Sequence, residues 1–205
     1  MEKPSPKISD TWNIPDLDKR PVIVAVAGPN GAGKSTFYEA HLKASGLRFV
    51  NADILVGELG IDDYQAAEVA VKLRQELVNQ GESFVFETVF SDPVGDKLTF
   101  LKQAAQRAYT VVLCFIGLSD VERSEERVAM RVTQGGHDVP TDKLTARFPR
   151  ILNNLKSTIR ELPWVFVFDN DDLRTPFRLA AIFKNGQKVF LAKSIPSWLR
   201  PVLRK

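Results

Sequence analysis

The run Gly28-Pro29-Asn30-Gly31-Ala32-Gly33-Lys34-Ser35-Thr36 contains G-x-x-x-x-G-K-[ST] at its first eight positions, a pattern whose chemistry is phosphate binding. Glycines at 28, 31 and 33 allow backbone angles and a close approach to a ligand that a Cβ would prevent. Lys34 is expected to carry a point charge to the β- and γ-phosphates. The Ser35 hydroxyl is expected to ligate Mg²⁺. Pro29, Asn30, Ala32 and Thr36 complete the loop, so the whole segment 28–36 is a candidate triphosphate site.

Further candidates follow other apolar runs. Asp53 closes Val50-Asn51-Ala52-Asp53 and is a candidate general base, because transfer of a phosphoryl group to a hydroxyl needs a carboxylate to accept the proton. The alternative is that Asp53 caps a helix starting at Ile54. Glu87, in Phe86-Glu87-Thr88, is either an acceptor behind Mg²⁺ or a substrate-binding group. Asn170 follows Phe168-Asp169 and could read an adenine base, or belong to an exposed turn 169–172. Arg123, Arg127 and Arg131 recur every four residues and therefore share a helical face. Either they form a solvated face with Glu122, Glu125 and Glu126, or one or two of them reach a triphosphate. Gly135-Gly136-His137 breaks that helix, and Arg147 and Arg150 follow on the next. This order suits a lid over about 120–150. His137 has no second ligand at metal-binding spacing and is a candidate phosphate or substrate contact. His41 reads as structural and Cys114 as a core residue.

These residues need a scaffold. Pro21-Val22-Ile23-Val24-Ala25-Val26-Ala27 is nearly all apolar and β-branched in part, as a buried parallel strand should be. A strand, a glycine-rich turn and a helix N-terminus direct backbone N–H groups and a positive dipole end at one anion. Strands are predicted at 22–27, 48–51, 83–87, 110–117 and 164–168. Helices are predicted at 35–45, 64–80, 96–107, 120–134 and 141–162. The alternation predicts an α/β three-layer sandwich with a mostly parallel five-stranded sheet and helices on both faces. Lys184-Asn185-Gly186 between apolar segments 178–183 and 187–192 predicts a C-terminal β-hairpin. In such a sheet, ligands gather beyond the carboxyl ends of the strands, where the candidates above fall.

The 205 residues suffice for one domain over 21–205, preceded by an arm at 1–20 that carries Pro4, Pro6, Pro15 and Trp12. Composition is that of a globular protein, 44% hydrophobic and 26% charged. A net charge of +3, with no aromatic–basic stripe, argues against nucleic acid. No apolar run approaches a membrane span and the first residues lack a secretory apolar core, so a cytoplasmic location is expected.

Together, four segments resemble the zeta-toxin family of P-loop kinases. They are the loop from Ala27 to Phe37, Phe49-Val50-Asn51-Ala52-Asp53, Phe84-Val85-Phe86-Glu87-Thr88, and the stretch from Arg127 through Gly135-Gly136-His137-Asp138-Val139-Pro140. The resemblance covers about 21–192 and implies parallel strands in the order 2-3-1-4-5. It implies phosphorylation of a hydroxyl from ATP or GTP, and the family's best-known acceptor is the 3′-hydroxyl of UDP-N-acetylglucosamine. On matched positions, Lys34 and Ser35 hold phosphate and Mg²⁺, and Asp53 is the catalytic base. Glu87 and Thr88 lie on the substrate side. Arg131 and Arg147 contact phosphate, with Arg127 competing for the first role. An antitoxin protein is the partner that the family suggests. A kinase for another small metabolite, or an ATP-binding switch with slow hydrolysis, would use the same loop.

Overall fold

The computed structural model describes residues 19–133 and 138–204. The expected arm, apart from its last two residues, and His137 lie outside the described residues.

Strand β1 (Val22–Ala27) is wholly buried, and its side chains divide by the two-residue period of a strand. Ile23, Ala25 and Ala27 join one apolar cluster, while Val22, Val24 and Val26 join another. A strand apolar on both faces must be covered on both, and this one is. The chain continues through the phosphate loop into α1 (Lys34–Phe37), a π-helical turn (Tyr38–Leu42) and a 3₁₀ turn (Lys43–Ser45). The single helix predicted at 35–45 is thus a composite. Phe37, Tyr38 and Leu42 cover the second cluster.

Next come β2 (Arg48–Val50), α2 (Ala52–Leu59), α3 (Asp63–Asn79) and β3 (Phe84–Thr88). They lead to α4 (Asp96–Gln106), β4 (Thr110–Gly117), α5 (Val121–Thr133) and α6 (Thr141–Glu161). The chain closes with β5 (Trp164–Asp169), β6 (Arg178–Lys184), β7 (Gln187–Leu191) and α7 (Leu199–Leu203). The order across the sheet is β2-β3-β1-β4-β5-β6-β7. Every pairing through β4–β5 is parallel, and β5–β6 and β6–β7 are antiparallel. The predicted order of five strands is therefore present, and the hairpin extends the same sheet to seven. Its turn is made at Asn185 (φ 49°) and Gly186 (φ 75°), the two positive angles that suit Asn-Gly.

Helices α3, α4, α6 and α7 cover the first face through Ala70, Leu77, Leu101, Ala104, Ile151, Leu155, Ile159 and Leu199. The second half of α6 is thus a core element, and only its first half lies in the segment expected to be a lid. α3 is closed at its start by a reciprocal cap between Asp62 and Gln65. Helix α7 was not among the predicted elements, and α2 was foreseen only as the helix from Ile54 in the capping alternative for Asp53. α2 has no fully buried residue, so it shows no apolar stripe, and α7 is five residues long and contains Pro201. Among the described residues no helix is long and apolar enough to cross a membrane.

Helix α7 is pinned by Trp198. Its Nε1 donates to Asp169 Oδ1 at 3.0 Å, and its ring lies against Gly117 where a Cβ would overlap it. Gly117→Ala should therefore lower stability by about 1–3 kcal/mol through overpacking, read as a lower urea midpoint with an unchanged m-value.

Candidate phosphate and acceptor site

The loop after β1 folds under local constraints that fix its residue types. Gly28 adopts φ 148°, and a Cβ there would run into the Ile116 carbonyl of β4. Gly33 adopts φ 84°, with a Cβ position only 2.9 Å from Asn170 Nδ2. Both need glycine for space as well as for angle. Ala32 is fully buried, and Thr36 is exposed at the helix start. Pro29 turns its carbonyl to Lys34 Nζ at 3.0 Å. The Asn30 carbonyl accepts from Ser124 Oγ on α5 at 2.7 Å, and Gly31 lies close beneath Arg127 and Ser124. The charged helix therefore rests directly on the loop.

Glu87, at the carboxyl end of β3, gathers the neighbouring strands' contributions. Its Oε2 accepts from Ser35 Oγ at 2.8 Å and from Asn51 Nδ2 at 3.0 Å. Its Oε1 stands 3.7 Å from Lys34 Nζ. Burial is the main influence on Lys34 and lowers its pKa; Glu87, then Asp53, oppose this, and Arg131 adds to it. Asp53 and Arg131 are thus close enough to act on the same ammonium.

Asp53 is exposed in the first turn of α2. It is not the cap of that helix. Asn51 is, accepting from the Asp53 N–H at 2.8 Å, and the helix begins at Ala52. The capping alternative for Asp53 therefore falls, and its carboxylate is left facing a cleft of about 400 Å³. The same cleft is lined by Asn30, Gly31, Lys34, Glu87, Thr88, Arg131 and Arg147.

The arginines of α5 separate. Arg123 pairs with Glu126 at 2.7 Å and lies 3.7 Å from Asp171, and Arg127 Nη2 donates to the Asp171 carbonyl at 2.9 Å. Burial lowers the pKa of Arg127, with Asp171 opposing. Arg131, one turn further, lines the cleft with Arg147 from α6, and Arg127 does not. Arg127 instead lines a shallower depression with Met130 and 171–174.

Asn170 departs from the expected base-reading role. Its side chain is 3% exposed; Nδ2 donates to the Ala32 carbonyl at 2.8 Å and Oδ1 accepts from the Phe177 N–H at 3.1 Å. It braces the phosphate loop from β5. Thr88 lines the cleft, and its Oγ1 also accepts from the Phe90 N–H at 3.2 Å. Phe90 has φ 62°, an unusual angle for a bulky residue, and is 1% exposed. Asn154 Nδ2 donates to the carbonyls of Phe90 and Asp92, fixing this loop from α6. His41 packs on Phe37 and Phe177, and Cys114 is buried in β4.

Asn51 and Arg74 were not predicted as site residues. Asn51 lay in a quoted polar cluster, overshadowed by Asp53. Arg74 had a signal: it falls on the apolar stripe Ala66, Ala70, Leu77 of its helix and interrupts it.

A triphosphate loop at a strand–helix junction, with a carboxylate on the neighbouring parallel strand, defines a P-loop nucleotide-binding protein. The family described as "AAA domain" matches residues 23–157, and the chain belongs to it. No curated protein matches the chain. Among solved structures, a chain of the AvrRxo1-ORF1:AvrRxo1-ORF2 complex with ATP is similar at TM-score 0.64 and 18% identity, over 89% of this chain and 63% of that one. The form with sulphate ions gives 0.65 and 18%, over 92% and 65%, so this chain spans under two thirds of that relative. The PezAT toxin–antitoxin system of Streptococcus pneumoniae gives 0.54 and 17%, over 78% and 71%. A putative kinase of Chloroflexus aurantiacus gives 0.54 and 19%, over 77% and 89%. The resemblance to zeta-toxin-type P-loop kinases therefore holds at the level of the fold.

Two outcomes test this geometry. Asn170→Ala should cost about 1–3 kcal/mol, since it leaves the Ala32 carbonyl and the Phe177 N–H without their partner. It should also weaken ATP binding, measured by calorimetry. For Lys34, a lowered folded pKa means that the unfolded chain holds more protons in the alkaline range. Stability contributed by this group therefore rises with pH toward its ordinary value of 10.5. Urea titrations over that range should show wild type gaining on Lys34→Met, while ATP affinity of the wild type falls as the ammonium discharges.

Proposed function

We propose that this protein is a phosphotransferase that moves the γ-phosphoryl group of ATP or GTP to a hydroxyl of a small molecule. The observation that carries the reading is the convergence of Lys34, Asp53, Glu87, Arg131 and Arg147 on one cleft beyond the carboxyl ends of the strands. A switch that only binds nucleotide has no need of an exposed carboxylate opposite the phosphate loop.

In this reading the loop amides and Lys34 hold the β- and γ-phosphates, Lys34 leaving the Pro29 carbonyl to do so. Arg131 and Arg147 neutralise charge that develops on the transferring group. Asp53 orients the acceptor hydroxyl and takes its proton. Ser35 and Glu87 fit magnesium: both present oxygen, and they are already within hydrogen-bond distance of one another. Magnesium, when bound, would supply compensation of the triphosphate's negative charge. The first half of α6 and the end of α5 act as the lid that excludes water.

The nucleotide sugar UDP-N-acetylglucosamine is the first acceptor to test, on the strength of the zeta-toxin resemblance. A protein partner of antitoxin type belongs to the same proposal, supported by the fold shared with the PezAT toxin–antitoxin system and with a chain of a two-protein complex.

Transfer from γ-labelled ATP to nucleotide sugars and to a metabolite extract tests the reading. Wild type should yield a labelled small molecule. Asp53→Asn should bind ATP normally and lose about 10²–10⁴-fold in transfer rate. Tight ATP binding with no labelled product from any source would replace the kinase by a nucleotide-dependent switch.

A further inference from the structure

Among the described residues, Arg74 in the cleft has no counter-charge. Arg74, on α3, lines the cleft on the side of Ala70, Val71 and Lys97. Its guanidinium carbon lies 4.8 Å from the centroid of the Phe86 ring and 5.9 Å from that of Phe100. It makes no hydrogen bond or ion pair with any described residue. Two basic neighbours differ. Lys34 has Glu87 at 3.7 Å, and Lys97 has Asp92 at 3.3 Å. Burial alone pushes the Arg74 guanidinium down to about 10, with no nearby carboxylate restoring it. It is still charged at neutral pH.

A second cavity, of about 330 Å³, opens on the other side of this side chain. It shares Val71, Arg74 and Lys97 with the main cleft and is walled by Phe86, Phe100, Gln75 and Gln103. Asp96 also lines it, exposed at the surface, and does not pair with Arg74. Arg74 therefore lines two adjacent spaces, together with Val71 and Lys97. A ligand that begins at Asp53 and extends from the first space into the second passes it.

The rings hold the guanidinium plane in place while leaving its donor fork unused. The half-buried fork still has its nitrogens open to the two spaces, and it matches an oxyanion in two-point geometry. We propose that Arg74 sets acceptor specificity by binding an anionic group, a carboxylate or a phosphate, on the part of the acceptor remote from the reacting hydroxyl. The remainder of the acceptor extends along Phe86 and Phe100. This inference rests on the kinase reading and adds the chemical class of its substrate.

The test divides a metabolite extract by anion exchange into neutral and anionic fractions. Each is incubated with γ-labelled ATP and wild type, Arg74→Lys or Arg74→Met. All three proteins are first matched for thermal midpoint and for ATP affinity, since Arg74 lies away from the phosphate loop. The expected result is labelled product from the anionic fraction alone. Its apparent KM rises about tenfold to a hundredfold in Arg74→Met, the loss of a charged hydrogen-bonding pair. Arg74→Lys recovers part of that loss. Anion-exchange subfractions rich in phosphate esters or in carboxylic acids separate the two sources of charge. Labelling of the neutral fraction only, or an unchanged KM in Arg74→Met, overturns the proposal and leaves the kinase standing. If neither fraction is labelled, the kinase reading fails. Equilibrium retention of the anionic fraction then decides, using proteins loaded with a non-hydrolysable ATP analogue. Retention lost in Arg74→Met supports the anion site, and equal retention overturns it.

Discussion

The site depends on one carboxylate held between three strands. Glu87 reaches Ser35 beyond β1, Asn51 beyond β2 and, at longer range, Lys34. Those groups come from two segments, the loop and helix after β1 and the end of β2, and the parallel order β2-β3-β1 brings both to Glu87. A buried ammonium without such a neighbour would carry a large desolvation cost. A carboxylate in this place therefore makes it feasible to keep a lysine inside the loop. The same contacts prepare a ring of oxygens and charges whose spacing is set before any phosphate arrives.

Two further braces hold that arrangement. Asn170 ties the loop to the β5 edge through Ala32, and Ser124 ties it to α5 through Asn30. Neither side chain would be guessed from a phosphate-binding pattern, since each serves backbone carbonyls. They show why the loop can be rich in glycine and still hold one shape: its rigidity is supplied by neighbours. The cost of this design is polar atoms placed inside the protein, where any lost partner is felt in full.

Much of the scaffold was legible in the sequence. The apolar run at β1, the strand–helix alternation and the Asn-Gly turn are local signals, and local signals survive folding. The loop's composition likewise announced phosphate. What was hidden depends on contacts distant in sequence. Asn170 looked like a surface turn because its partners are 138 residues earlier and seven residues later. α2 was visible only as the helix that Asp53 was expected to cap, because it buries no full side chain and leaves no clear period. Spacing put Arg123, Arg127 and Arg131 on one face, but only the position of the 169–172 loop separates the first two from the third. Arg74 was written in the sequence as a charge on an apolar stripe, a local conflict of the kind that marks working positions.

The loop after β3 divides labour within three residues. Phe90 is a plug, fixed by burial and by backbone bonds to Thr88 and Asn154, while Val89 and Ser91 flank it and line the cleft. The plug sets where the wall stands; its neighbours set what the wall is made of. Exchanges at 89 and 91 can therefore alter the cleft's chemistry while the main chain keeps its path. Descendants of such a chain inherit a constant framework with two replaceable facing tiles. The cleft's lining changes there by single substitutions, with no intermediate that must lose its fold on the way.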